Sequence, residues 1–511
     1  MRGTRVKNAV LCLVGLAVAA GVATTTATGA PSSDWMAYLH GPGHSSYNPA
    51  DATITPSVVR AGLHQLWTFT PAKHSGRALP LLYGSPTVSQ GNVYIGAYDG
   101  YFYKINIASQ AVTSRDLGWM QCSGKSKAGI GDTATVLPDP NRPGRSTVYV
   151  ASGKPGGSSG LYLWALDAAT LKPISTWATD PVLVSSQSDA FAWSSPTVIG
   201  GRIYVGVSAR CEDTVLVQGR LFAFNAANGS RSAKPYVVVK HDQGGAIWTS
   251  AAADGHSIYV TTGNAVEAST GHIRGDSYSL VKLDPATLAK QGIWTAPSAS
   301  ASFHQGLDQD FGGSPTLFSR IAGTSSQAMV GACDKDGNYY ALDRATMTLE
   351  WQFEIGVDNL FNKSHGFNAC IDSAVWDSTS RQLIIGGNQP ATPIDGDTNA
   401  FGSVRALRPV DGTVIWDNAL PCGVIGGPTE NGAGVVAVTT YTCSTSSGQH
   451  YVYLFDARNP ISGVGNPDAP LLARIPTASA SFAQPVFAEG TLFIASAKTS
   501  TGAGMLAAYG P

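Results

Sequence analysis

One pattern recurs along the chain: a short apolar strand, a polar turn, an alternating strand ending in a Leu-Asp-like pair, a small-residue turn, then a Trp-bearing strand. The third-strand copies are YKINIASQ from Tyr103, WALDAATL from Trp164, FAFNAANG from Phe222, VKLDPATL from Val281, YALDRATM from Tyr340, RALRPVDG from Arg405 and YLFDARNP from Tyr453. Inner-strand signals start at Gly84 (GSPTV), Asp132 (DTATV), Ser194 (SSPTV), Gly245 (GAIWTSAA), Gly312 (GGSPTL), Asp372 (DSAVW), Gly426 (GGPTE) and Ala483 (AQPVF), which makes eight starts. A spacing of roughly 50 to 60 residues with period-2 alternation fits a four-stranded repeat and is too long for a helical-hairpin repeat. A chain of this kind cannot bury its repeats one at a time, so they must stack into one continuous core.

The 58 Gly and 29 Pro supply the turns of such a meander, and helical periodicity is nearly absent. The unit from Ala483 to Tyr509 lacks its own Trp strand, whereas an orphan strand, LHQLWTFT from Leu63, precedes the first inner strand. Donating it to the last unit closes the ring and removes an exposed sheet edge. The expectation is an all-β, eight-bladed β-propeller of four-stranded antiparallel blades, closed by an N-terminal strand joining the last blade. The expected organisation is a signal peptide over 1–30, a segment over 31–62 packed on the propeller, and the propeller over 63–511.

Arg2, Arg5 and Lys7, the apolar run from Ala9 to Val22, and small residues ending at Thr28-Gly29-Ala30 follow the order of a cleaved secretory leader. Secretion or a periplasmic location is expected. No later stretch is apolar for long enough to span a membrane. With a net charge of −1 and scattered Lys and Arg, nothing marks a nucleic-acid partner. Six of the seven cysteines follow the leader. Without a Cys-x-x-Cys or Cys-x-x-Cys-His spacing they point to disulfides rather than to zinc or haem. Sequence proximity and repeat position suggest Cys333 with Cys370, Cys422 with Cys443, and Cys122 with Cys211, stapling one face.

At DWMAYLHGPGHSSYNP (from Asp34), ITPSVVRAGLHQLW (Ile54), YVGVSARCEDTVLVQGRLFAFNAANG (Tyr204), GGAIWTSAAADGHSIYVTTGN (Gly244), DQDFGGSP (Asp308) and DKDGNYYALDRAT (Asp334) the chain resembles the pyrroloquinoline-quinone (PQQ)-dependent alcohol dehydrogenases. It is closest to their polyvinyl-alcohol-dehydrogenase-like branch. The resemblance implies PQQ and calcium as cofactors, with neither haem nor NAD. It also implies a small-molecule or polyol substrate and a separate electron acceptor. It puts Trp248 in the place of the ring that stacks on the quinone and Lys335 in that of the basic residue beside the quinone oxygens. Glu212 and Asn264 take the places of the cation's carboxylate and amide ligands. Each has a plainer reading: Trp248 as an inner-strand aromatic, Asn264 as a turn residue, Lys335 as a hairpin tip, Glu212 as a solvated loop residue.

The chain departs from the family at three points. Cys211 stands alone where the family carries two adjacent cysteines, and Gln218-Gly219 replaces an Arg-Gly pair, leaving Gln218 as the candidate for that cofactor contact. After Trp294 the segment Thr295-Ala296-Pro297-Ser298-Ala299-Ser300 carries no carboxylate before Asp308, the candidate catalytic base. Asp308 and Asp310 both belong to the lead-in of the next inner strand, and either would need its loop re-aimed. No nucleophile elbow, zincin helix, phosphate loop or dinucleotide fingerprint offers another chemistry. Two functions stay open: an exported quinoprotein oxidoreductase acting on alcohol or polyol groups, and a propeller without the cofactor that serves as a binding or scaffolding module.

Overall fold

Eight blade sheets are arranged as successive antiparallel meanders, seven of them running inner strand to outer strand in sequence order. The structure is a computed structural model and describes residues 1, 32–121, 127–209, 217–265, 272–297, 309–322, 325–357, 369–390, 392–443 and 449–511. Blades 1 to 6 start at the inner strands Thr87–Ser89, Thr135–Pro138, Thr197–Ile199, Ala252–Ala253, Thr316–Ala322 and Val375–Asp377. Blade 7 starts at Thr429–Asn431 and blade 8 at Val486–Ala488. Blade 8 takes its fourth strand from the amino-terminal side: His64–Phe69 pairs antiparallel with Met505–Gly510. Trp67 on that strand is buried and packs against Phe493, ring centroids 6.0 Å apart. Among the described residues the only α-helix is Pro56–Ala61, started by Thr55, whose hydroxyl accepts the Val58 N–H at 3.2 Å.

Adjacent blades are joined at the axis by side-chain hydroxyls. The N–H of Gln484 donates to Ser85 Oγ (3.0 Å), that of Ser85 to Thr133 Oγ1 (2.8 Å) and that of Thr133 to Ser195 Oγ (3.0 Å). The series continues from Ser195 to Ser250 Oγ (2.9 Å), from Ser250 to Ser314 Oγ (2.9 Å) and from Ser314 to Ser373 Oγ (3.0 Å). A second row runs two residues further along: Thr87, Thr135 and Thr197 donate Oγ1 protons to the carbonyls of Ala134, Pro196 and Ala251, each at 2.6 Å. The recurrent Ser-x-Thr text of the inner strands is therefore the inter-blade joint. Blade 7 has Gly427 at the hydroxyl position, with φ of +79°. There Ser46 Oγ and Gln484 Nε2 donate instead to the Pro428 carbonyl, at 2.7 and 2.9 Å.

Residues 33 to 55 pass along the carboxyl-terminal ends of the inner strands as a strap. The N–H groups of Val88, Val136, Ala253, Leu317, Trp376 and Glu430 donate to the carbonyls of Trp35, Met36, Pro42, Gly43, Ser45 and Ser46, at 2.7 to 3.0 Å. These six donors occupy the same position in six blades. In blade 8 the Asn48 amide donates to the Phe487 carbonyl at 2.9 Å. Tyr47–Asn48 forms a parallel strand on the inner edge of blade 7, so that sheet has five strands rather than the expected four. Inner strands present an unpaired edge to the axis, and the strap covers it. Strap and blades together, Ser33–Pro511, form one compact unit.

Two of the expected disulfides are present, Cys333–Cys370 and Cys422–Cys443. Cys122 and Cys211 lie outside the described residues, as does the leader over 2–31. No helix among the described residues is long and apolar enough to cross a membrane.

Ser314→Ala should leave the buried Ser250 N–H without its acceptor, at a cost of about 1–3 kcal/mol. Urea unfolding should show a lower midpoint with an unchanged slope, and Ser314→Thr should recover most of the loss.

Candidate functional site

The hydroxyl joints set every inner strand at one height, so the residue two positions before each joint points into the same layer around the axis. Those residues are Tyr83, Gly131, Trp193, Trp248, Gly312, Ile371, Ile425 and Phe482, and all of them line one axial chamber. Four are aromatic. Tyr83 meets Trp193 edge-on with centroids 5.7 Å apart, and Phe482 lies 6.2 Å from Trp193. Burial, with Tyr441 and Tyr98 nearby, pushes the Tyr83 phenol up to about 12. Gly131 is required by this crowding: a Cβ there would lie 2.7 Å from Phe191 and 3.0 Å from Trp193. Tyr38 reaches the chamber from the strap side and hydrogen-bonds the hydroxyls of Ser314 and Ser373.

A charged group sits beside Trp248. Lys335 Nζ lies 2.6 Å from Asp310 Oδ1 and 5.0 Å from the Trp248 ring centroid, while Trp248 Nε1 donates to Asp310 Oδ2 at 3.3 Å. The hairpin Asp334-Lys335-Asp336-Gly337 folds onto the lead-in of its own blade, with the Lys335 N–H on the Asp310 carbonyl at 3.0 Å. Phe311 bridges Asp334. The Cys333–Cys370 bond ties the root of this hairpin to the segment that carries Ile371 and Asp372. Burial first, then the Asp336 charge, pushes the Asp334 carboxyl well above the usual carboxylate range, with Lys335 opposing. Asp336 is raised by burial and held down in part by the Tyr340 hydroxyl at 2.7 Å. Asp372, on the chamber wall, is likewise raised by burial.

Gly263 brings the backbone next to this group. A Cβ at Gly263 would lie 2.9 Å from Asp310 Oδ2 and within 3.1 Å of the Ala246 backbone, so only glycine admits the carboxylate there. Asn264 follows directly, its carbonyl accepting the Gly245 N–H at 3.0 Å.

Trp248, Lys335 and Asn264 are thus brought to one side of the axis, on blades 4 and 5. Gln218 is elsewhere. Its amide donates to the Val239 carbonyl at 2.5 Å, its carbonyl oxygen accepts from Arg220, and it walls a surface cleft with Tyr236, Arg274 and Lys290 rather than the chamber. Glu212 and Asp308 lie outside the described residues. Asp310 is the carboxylate that stands beside Trp248 and Lys335. The rest of the aromatic layer was missed, although its signal was present: the residue two before each Ser or Thr of the inner-strand motif.

No family model matches the sequence, and no curated protein matches it. Solved structures do share the fold. The quinohemoprotein alcohol dehydrogenase from Comamonas testosteroni is 16% identical with a TM-score of 0.68, over 93% of this chain and 80% of that one. A europium-containing methanol dehydrogenase is 14% identical with a TM-score of 0.68, over 94% and 98%. BamB from Moraxella catarrhalis is 13% identical with a TM-score of 0.51, over 88% and 100%. At these identities the likeness establishes the propeller alone.

The side chains of Lys335 and Asp310 are only 7% and 4% exposed, so removing one charge strands the other. Lys335→Met should cost about 3–5 kcal/mol in urea unfolding at pH 7. Lys335→Met with Asp310→Asn should recover most of that, giving a coupling energy well above the level of independent sites.

Proposed function

We propose that this protein is an exported quinoprotein-type oxidoreductase that binds PQQ with a divalent cation at the axis and oxidises alcohol or polyol groups, passing electrons to a separate acceptor. One observation carries the reading: Trp248, Asp310 and Lys335 form a buried, mutually bonded group at the axial chamber, next to Asn264. The residue types fit the cofactor. An indole face suits a planar conjugated ring, an ammonium suits its anionic oxygens, and Gly263 admits the Asp310 carboxylate one residue before Asn264, carboxylate and amide oxygens both being hard donors of the kind Ca²⁺ takes. The europium of the solved methanol dehydrogenase is also a hard cation, and it fits the same donor chemistry.

In this reading bound PQQ supplies the two-electron redox chemistry. Trp248 holds the plane of the ring, and Lys335 keeps a positive charge beside it in a site of low dielectric. Asn264 and Asp310 contribute cation ligands, with Glu212 proposed as a further one. Asp310 takes the role for which Asp308 was the sequence candidate, accepting the alcohol proton at a carboxylate oxygen. The aromatic layer of Tyr83, Trp193 and Phe482 excludes water from below.

A second reading has its own support: Lys335, Asp310 and Trp248 already satisfy one another, as they would in a propeller that only binds partners. Titration of the purified protein with PQQ and Ca²⁺ separates the two. The oxidoreductase reading expects saturable quinone absorbance changes and dye reduction with alcohols, and Trp248→Ala should weaken quinone binding about 100-fold, the loss of ~2.7 kcal/mol expected of a stacked aromatic anchor. Absence of binding at micromolar PQQ leaves the partner-binding propeller.

A further inference from the structure

Lys and Arg are scattered along the sequence, but the fold gathers five of them around one surface cleft between blades 3 and 4. Arg220 and Lys234 come from blade 3, Lys240 from the connection that follows it, and Arg274 and Lys290 from blade 4. Two carboxylates, Asp242 and Asp276, share the lining, which leaves three positive charges in excess among the described residues there, in a chain whose net charge is −1. The surplus is not consumed locally. Arg220 donates through Nε to the neutral Gln218 Oε1 at 2.8 Å. Lys234 and Lys240 are exposed, and neither has a carboxylate partner among the described residues. The other two cations are paired, Arg274 Nη1 with Asp242 Oδ2 at 2.5 Å and Lys290 Nζ with Asp276 Oδ1 at 2.7 Å. The cleft therefore offers free ammonium groups and carboxylate oxygens together.

We propose that this cleft binds an acidic oligosaccharide of the uronate type. The excess positive charge selects an anion. A cleft of about 1280 Å³ exceeds the roughly 300–1,000 Å³ of a small-molecule site, so the ligand is a chain rather than a single ring or ion. The paired carboxylates narrow its chemistry. A polyphosphate presents acceptors only and is repelled by Asp242 and Asp276. A uronate chain carries hydroxyls that donate to carboxylate oxygens, next to carboxylates that take Lys and Arg. An acidic peptide matches the charge but finds no run of main chain to extend. The outermost strand of blade 3, Tyr236–Val237, is two residues long. Beyond it the carbonyls of Val238 and Val239 already accept from the Asp276 N–H at 3.0 Å and the Gln218 amide at 2.5 Å. The lining shares no residue with the axial chamber, so this inference does not depend on quinone binding.

The test uses the full chain without added quinone. Calorimetric titration at low salt with a short oligogalacturonate should show saturable binding that weakens as salt rises. A malto-oligosaccharide of equal length has the hydroxyls without the charge and should not bind. Oligoglutamate of equal charge should bind at least about tenfold more weakly. Lys234→Gln with Lys240→Gln should weaken oligogalacturonate binding about tenfold, the scale of two exposed ion pairs, with Tm unchanged because both side chains are exposed. In the unmodified protein the oligosaccharide should shield Lys234 and Lys240 from chemical acetylation, a readout that needs no variant. No saturable binding, equal affinity for oligoglutamate or the neutral sugar, or undiminished binding by the double variant overturns the proposal.

Discussion

The rest of the structure depends on a backbone N–H of one inner strand meeting a side-chain hydroxyl of the next. Sheets that pack face to face are held by apolar contact, which is non-directional and sets no relative height. The bonds from Gln484 through Ser85, Thr133, Ser195, Ser250 and Ser314 to Ser373 supply that height, because each reaches only 2.8 to 3.0 Å. Once the strands are level, three further layers follow from position along them. Residues two before the joint form the aromatic layer, the joint forms the chamber wall, and residues three after it form the edge that the strap covers.

The one interruption shows how the ring tolerates a missing member. Gly427 offers no hydroxyl, and at that blade the strap contributes both Ser46 and a parallel strand. The amino-terminal segment therefore does more than pack on a finished propeller: it completes the joint at blade 7 and donates the closing strand to blade 8. This arrangement couples the two ends of the chain to the same axis that carries the charged group.

That group is an exception to the apolar logic around it. A buried lysine and carboxylate are expensive to desolvate, and their pairing offsets the cost only with good geometry and additional hydrogen bonds. Here Asp310 has both the lysine at 2.6 Å and the Trp248 N–H at 3.3 Å. Apolar residues of similar volume would serve stability as well, so stability alone does not account for a buried ion pair beside an aromatic ring.

Much of the architecture was legible in the amino-acid order, because blades are local meanders whose strand alternation and turn residues are written within each repeat. The orphan strand at Leu63 and the pairings Cys333–Cys370 and Cys422–Cys443 could be read for the same reason: period and position within a repeat carry over from copy to copy. The site was legible only by residue type. Trp248, Lys335 and Asn264 could be named, yet the approach of Asp310 to Trp248 and Lys335, and the separation of Gln218 from the chamber, turned on loop conformations that no period governs. The strap was invisible as such, since its bonds are made by backbone carbonyls, which every sequence offers alike. Sequence by itself determined how many blades there are and how they close. Tertiary structure alone decided what meets at the axis, because residues from eight separated repeats become neighbours there only when the ring is complete.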